Sequence, residues 1–157
     1  MTQFNSLGLD QPKLETLATK LNILLANYSI FYQNTRGFHW NIKGKNFFEL
    51  HLKFEELYTN LQLKIDEIAE RILTLGYCPN HNFSDYQKTA TITEIKETTK
   101  DTIAIATIIE SLATLIQLQR IILKLTQEID DEGTSSLMSD NIREQEKLIW
   151  MYKAYIS

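Results

Sequence analysis

The sequence contains little of what builds linkers, tight turns and disulfide frameworks: two prolines, five glycines and one cysteine among 157 residues. The lone cysteine, Cys78, excludes a disulfide within the chain and is typical of a reducing compartment. The scarcity of proline and glycine leaves little material for a linker or a disordered tail. We therefore expect residues 1–157 to form one domain, long enough to bury a sizeable hydrophobic core.

Signals for export and membrane insertion are also missing. The N-terminal stretch MTQFNSLGLDQPK has neither a cationic start nor an apolar core, so no signal peptide is expected. The apolar segment 103–129 is interrupted by charged and amide side chains, namely Glu110, Gln117, Gln119, Arg120 and Lys124. These interruptions argue against a membrane span, so we expect a cytoplasmic protein with no membrane partner.

Positive charge is not in excess. The chain has 16 Lys and Arg against 20 Asp and Glu, which gives a formal net charge of -4. No run of basic residues occurs at either terminus or elsewhere. Because proteins that bind the nucleic-acid backbone normally carry a basic patch or tail, direct DNA binding is disfavoured.

What the sequence does contain is apolar residues at intervals of three and four, the period of amphipathic helices. The pattern predicts long helices at about 12–39, 47–75, 101–131 and 135–155, with Asn46 as the N-cap of the second. Gly76 is expected to end that helix and Gly133 to separate the last two. A short helix capped by Ser84 is predicted at 84–88.

These elements describe an all-α protein. Two long helices, a crossover that contains a short extra helix, and two more long helices match a ferritin-like four-helix bundle. The third long helix is rich in isoleucine and leucine on several sides and is expected to lie deepest.

Two of the three histidines, His39 and His51, lie on either side of a break that contains Gly44. Such a break lets the second helix fold back along the first, which brings the two imidazoles together. Within one bundle, however, a ferritin-type metal centre needs Glu-x-x-His on two helices. The third histidine is His81. The residues three positions before His39, His51 and His81 are Arg36, Phe48 and Cys78, and none is a glutamate, so such a centre is disfavoured.

The second helix carries a stripe of metal-binding residue types: His51, Glu55, Asp66 and Glu70. At about 100° per residue these fall at roughly 0°, 40°, 60° and 100° around the axis. His51 and Asp66 are about 22 Å apart along it, whereas a metal ligand lies about 2 Å from its ion. An antiparallel second copy across a two-fold axis would bring His51 of one chain to Asp66 and Glu70 of the other.

Each of these residues also has an ordinary interpretation. The two acids could be solvated surface carboxylates, and each histidine could be a hydrogen-bonded structural residue. Their coincidence on one stripe favours the metal site, and mixed imidazole and carboxylate ligands suit Fe²⁺.

At these residues the chain resembles the Dps family of mini-ferritins, the DNA-binding proteins from starved cells. FHWN at 38–41, His51 twelve residues after His39, DEIAER at 66–71 and the ending KLIWMYKAY match the family's motifs in type and spacing. The resemblance implies iron ligands His39, His51 and Glu55 from one subunit and Asp66 and Glu70 from another. Glu55 stands where the family often has aspartate.

The resemblance also implies what the assembly does. A hollow dodecamer would oxidise Fe²⁺ to Fe³⁺, with hydrogen peroxide preferred over O₂, store the ferric mineral and protect against oxidative stress. The alternative is a non-specific DNA-coating nucleoid protein in which iron oxidation is secondary. A third possibility is a structural assembly with an inert, zinc-like site.

Several further residues are candidates for supporting roles. The resemblance places Trp40 near the iron, whereas Trp150 is expected in the core. Cys78 and His81 form a weak two-ligand pair for a soft metal. Glu49 and Glu56 are candidate nucleation sites for the mineral.

The acids around the last turn have two interpretations. Asp130, Asp131, Glu132 and Asp140 resemble the acidic pores that admit Fe²⁺ in the family. Because the helix dipole disfavours anions at a helix C-terminus, stability alone would not select acids at the end of the third long helix. An acidic solvated turn is nevertheless an equally good explanation.

Overall fold

The computed structural model describes residues 5–96 and 98–157, which form five helices and no strand. The helices are α1 (Gln11–Asn41), α2 (Phe47–Thr74), α3 (Phe83–Thr89), α4 (Asp101–Glu128) and α5 (Glu132–Ile156). The prediction of an all-α bundle with a short helix in the crossover is confirmed. Residues 1–4, part of the N-terminal stretch considered for a signal peptide, lie outside the described residues.

Helix α1 forms the centre of the bundle. Its predicted apolar stripe is completely buried or nearly so: Leu14, Leu17, Leu21, Leu24, Tyr28, Phe31, Thr35 and Phe38. It packs against α2, α3 and α4, while α5 packs against α4. The prediction that the third long helix lies deepest is wrong, because α4 leaves Ile103 50 % and Ile121 48 % exposed. The apolar residues of α4 lie on more sides of the helix than the neighbouring helices cover.

Helix α4 is long and apolar enough to cross a membrane by length and composition alone. One of its faces, which includes Ile105, Ile108, Leu112 and Leu115, is buried in the bundle against α1 and α5. Only 39 % of its most apolar 18-residue window is buried in the structure, so packing in the core accounts for this face and not for the whole hydropathy of the helix.

The helix ends agree with the predicted glycines Gly44 and Gly76 and with one of the two predicted N-cap positions. Gly44 and Gly76 adopt φ of 123° and 94°, which favour glycine. Asn46 stands at the N-cap of α2, yet its side chain makes no capping bond and donates instead to Asp101 Oδ2 at 3.3 Å. Ser84 lies inside α3, whose N-cap position is Asn82. The predicted N-cap position of Asn46 is therefore confirmed, although its side chain does not cap the helix, and the prediction of Ser84 as a cap is wrong.

The turn between α4 and α5 differs from the prediction. Helix α4 ends at Glu128, the residue with positive φ is Asp130, and Gly133 lies inside the first turn of α5. A Cβ at Gly133 would lie 2.7 Å from Nη2 of Arg71. The glycine therefore permits a close approach of Arg71 rather than separating the helices.

The middle of the core contains a closed ring of hydrogen bonds. Tyr28 donates to Gln119 Oε1 at 2.7 Å, Gln119 Nε2 donates to Gln145 Oε1 at 2.7 Å, and Gln145 Nε2 donates back to the Tyr28 hydroxyl at 2.5 Å. All three side chains are buried. Their polar atoms satisfy one another, so α1, α4 and α5 are joined by neutral groups at the centre of the bundle.

Candidate metal centre

His39 and His51 form a stacked pair at the junction of α1 and α2. The ring centroids are 3.7 Å apart and the planes differ by 13°. Gly44 allows the connection to reverse direction, and α2 then runs back along α1. The structure therefore brings together the two imidazoles that the sequence separates by twelve residues.

The hydrogen bonds of the pair determine which ring nitrogens are free. Nδ1 of His39 lies 2.5 Å from the main-chain oxygen of His51, and Nδ1 of His51 lies 2.7 Å from the main-chain oxygen of His39. A carbonyl oxygen only accepts, so each Nδ1 carries the proton and donates. In the neutral rings, both Nε2 lone pairs are therefore available to a metal ion.

Aromatic side chains hold the two rings from the sides. Phe47 stacks on His51 with centroids 5.0 Å apart, and Tyr58 meets His39 edge-on at 5.3 Å. Sequence reasoning missed both residues. The signal was their spacing, because Phe47 stands one helical turn before His51 and Tyr58 two turns after it.

The carboxylates of the predicted site are exposed. Glu55, Asp66 and Glu70 all point away from the bundle core, and none forms an ion pair with a described residue. Helix α2 is continuous over this stretch, so His51 and Asp66 stay about 22 Å apart along its axis. Among the described residues, no group of three or more His, Cys, Asp and Glu side chains is placed to hold a metal ion. A single chain therefore does not bring the two histidines and the acids Asp66 and Glu70 together.

The same side of α2 exposes large apolar residues. Phe48 is 85 % exposed, and Leu52, Leu63 and Leu73 are each more than half exposed. On the helical wheel they lie within roughly 60° of the site acids. An apolar stripe of this kind is typical of a surface that contacts another protein.

This fold is similar to that of known proteins. Residues 18–157 match the model of the Ferritin-like domain. The crystal structure of the Dps protein from Vibrio cholerae O1, a member of a broad superfamily of ferritin-like diiron-carboxylate proteins, superimposes with a TM-score of 0.97. It shares 54 % sequence identity over 100 % of this chain and 99 % of that chain.

This chain belongs to the Dps family. A DNA protection during starvation protein of Porphyromonas gingivalis is 40 % identical over 148 residues, which are 94 % of this chain and 93 % of that protein. The Dps protein of Bacillus brevis superimposes with a TM-score of 0.90 at 31 % identity, over 93 % of this chain and 98 % of that one. The imidazoles at the junction of α1 and α2 and the carboxylates on α2 are residue types that bind iron.

One predicted pore acid of this Dps chain is excluded by its contacts. Asp131 is 2 % exposed and accepts from Arg71 Nη2 at 2.7 Å and from the Thr134 amide at 3.0 Å. A buried carboxylate whose oxygens are already bonded is not available to passing Fe²⁺, so its assignment to a pore is wrong. Asp130 and Glu132 are exposed, and Asp140 forms an exposed pair with Arg143.

The remaining candidates are also placed. Trp40 is 55 % exposed and lies against Arg36, whose guanidinium carbon is 4.8 Å from the indole centroid. Trp150 is 65 % exposed, so its prediction as a core residue is wrong for the chain alone. Cys78 and His81 are both exposed.

Of the two nucleation candidates, Glu56 is ion-paired. Its Oε2 lies 2.9 Å from Nζ of Lys53, which offsets its charge, while Glu49 is exposed in the first turn of α2.

Proposed function

We propose that this Dps protein is a cytoplasmic ferroxidase and iron store. Two chains build each site, with His39, His51 and Glu55 from one and Asp66 and Glu70 from the other. Fe²⁺ is the substrate, hydrogen peroxide is the preferred oxidant with O₂ as the alternative, and the Fe³⁺ product accumulates as mineral inside a hollow dodecamer. Consumption of Fe²⁺ and peroxide together gives protection against oxidative stress.

The observation that carries the proposal is the orientation of the two histidines. Both Nδ1 atoms donate to main-chain oxygens, which leaves both Nε2 atoms free to bind metal next to an exposed acidic stripe. A neutral imidazole nitrogen of this kind is the commonest protein ligand of metal ions. Imidazole and carboxylate together suit Fe²⁺ and also hold Fe³⁺.

The need for a second chain follows from the length of α2. His51 and Asp66 of one chain are about 22 Å apart on one straight helix, so they cannot bind the same ion. His51 of one chain and Asp66 of a second chain can do so if the two α2 helices pack antiparallel. The exposed apolar residues on the same side of α2, such as Phe48 and Leu63, supply the contact surface. Such a two-fold pair contains two identical sites.

A subunit-mixing experiment tests the shared site. One variant carries His39→Ala and His51→Ala, the other Asp66→Ala and Glu70→Ala, and each alone should be nearly inactive toward Fe²⁺ and peroxide. When the two are unfolded together and reassembled, half the dimers are mixed and each has one complete site. Activity should recover to roughly a quarter of wild type, with wild-type protein treated identically as the reference. No recovery would refute the shared site.

DNA binding is a second candidate function, because the Porphyromonas gingivalis relative is named for DNA protection. The net charge of -4 and the absence of basic runs count against direct contact with phosphates. A gel-shift series at low salt distinguishes the two, since binding through phosphates weakens steeply as salt rises. Retarded DNA at low salt would support it, and unretarded DNA would leave iron oxidation as the function.

A further inference from the structure

A chain of aromatic side chains leads away from the histidine pair. The Tyr58 ring meets the His39 ring at 5.3 Å, and Tyr32 meets Tyr58 at 6.0 Å, both edge to face. Both tyrosines are half-buried. Electrons transfer readily between aromatic rings in contact, so an oxidant formed at the histidines has a donor next to it.

From this geometry we propose that Tyr58 is an electron donor to the peroxide reaction, with Tyr32 as the second carrier. The inference rests on the proposed function and adds a residue to it. Neither tyrosine is among the candidate iron ligands. Their position follows from packing, because Tyr58 lies two turns beyond His51 on α2 and Tyr32 lies two turns before His39 on α1.

The electron balance shows when such a donor is needed. Peroxide accepts two electrons to become water, whereas one Fe²⁺ supplies one. When a single ferrous ion is bound, Tyr58 supplies the other: H2O2 + Fe2+ + Tyr–OH + H+ → Fe3+ + Tyr–O• + 2 H2O. The O–O bond breaks and both oxygens leave as water, which takes up the phenolic proton and one proton from solvent. Without the tyrosine, the same ion would release a hydroxyl radical.

The surroundings favour the tyrosines over Trp40. The Arg36 guanidinium lies 4.8 Å from the Trp40 ring and 5.5 Å from the Tyr32 ring. An oxidised indole is first a cation, which the permanent charge of Arg36 repels. A tyrosine loses its proton with the electron and stays neutral, so Arg36 does not oppose its oxidation in this way.

The test uses the assembled protein, loaded without oxygen with one Fe²⁺ per site and mixed with one equivalent of peroxide. Freeze-quench EPR should show a neutral tyrosyl radical in wild type, and Tyr58→Phe should abolish it. Tyr86→Phe is the matched control, because Tyr86 lies on α3 and its hydroxyl donates to Asn80. A spin trap should capture several-fold more hydroxyl radical from Tyr58→Phe, and the difference should vanish with two Fe²⁺ per site.

The outcomes separate the two proposals. Ferric absorbance without a tyrosyl signal in wild type, or an unchanged signal in Tyr58→Phe, would overturn the role of Tyr58 and leave the ferroxidase intact. No ferric absorbance at either iron loading would overturn the proposed function itself. Tyr58→Phe keeps the ring that packs on His39, so its folding and iron affinity should match wild type.

Discussion

His39 and His51 hold each other in place through their main chains. Each Nδ1 donates to the carbonyl oxygen of the other residue, at 2.5 and 2.7 Å. The end of α1 and the first turns of α2 thereby orient both imidazoles before any metal binds. Because the acceptors are main-chain atoms, replacement of one histidine side chain leaves the hydrogen-bond acceptor of the other histidine in place.

Replacement of His51 by alanine should therefore remove one ligand only. The carbonyl oxygen of residue 51 remains, so His39 keeps its orientation and the bundle keeps its fold. Ferrous affinity, measured by anaerobic calorimetry, should fall by more than the roughly 10–100-fold typical of losing an outer hydrogen bond. His81→Ala is the matched control, since His81 is exposed outside the stripe. Equal losses in both variants would contradict the assignment of His51.

Leu63→Glu should prevent assembly while leaving the chain folded. Leu63 is 62 % exposed on the stripe that carries Asp66, so a charge there should hardly change the stability of the single chain. In the assembly the same charge would be buried without a partner against the apolar surface of another chain. Sedimentation should show smaller species, and ferroxidase activity should fall with them. Leu63→Met keeps the apolar contact and should assemble normally. A fully assembled Leu63→Glu protein would place the contact surface elsewhere.

The parts of the fold that the sequence predicted depend on local periodicity. The stripe of α1 from Leu14 to Phe38 repeats every three or four residues, and all its predicted members are buried. The change of chain direction at Gly44 was also predicted from local sequence. The contact between His39 and His51 follows from it. The Dps family assignment came from motifs of the same short range and is confirmed.

What the sequence did not predict depends on partners far along the chain. Asn46 occupies the predicted N-cap position of α2, but its side chain donates to Asp101, 55 residues away, and not to the helix. Asp131 was expected either at a pore or in a solvated turn but is buried and pairs with Arg71, 60 residues away. Spacing gives no information about such tertiary competitors for a polar side chain. The ligand roles of Glu55 and the other site residues remain predictions.

Asp131→Ala should destabilise the protein by about 3–5 kcal/mol, because it leaves the Arg71 guanidinium beside a buried, empty position. The variant also loses the bonds from Thr134 at the start of α5. Denaturant unfolding at fixed protomer concentration measures the change. Glu132→Ala, in the same turn but exposed, should cost less than about 1 kcal/mol. Comparable losses in the two variants would mean that the ion pair contributes little.

The last prediction concerns alkaline pH and the buried ring of Tyr28, Gln119 and Gln145. Burial raises the pKa of the Tyr28 hydroxyl well above its ordinary value, and the hydrogen bond from Gln145 offsets this only in part. The folded chain therefore keeps a proton that the unfolded chain releases above a pH of about 10. Since the unfolded state then binds fewer protons, the free energy of unfolding falls as pH rises.

The expected slope is about 1.4 kcal/mol per pH unit for each such tyrosine. Burial raises the pKa of Tyr152 in the same direction, so two groups contribute. Tyr28→Phe should roughly halve the alkaline slope. At neutral pH the same variant should lose about 1–3 kcal/mol, because Gln119 and Gln145 are left without their hydroxyl partner. Denaturant unfolding of both proteins across this pH range measures the two effects separately. An alkaline slope as steep in Tyr28→Phe as in wild type would show that Tyr28 ionises equally well in the folded chain.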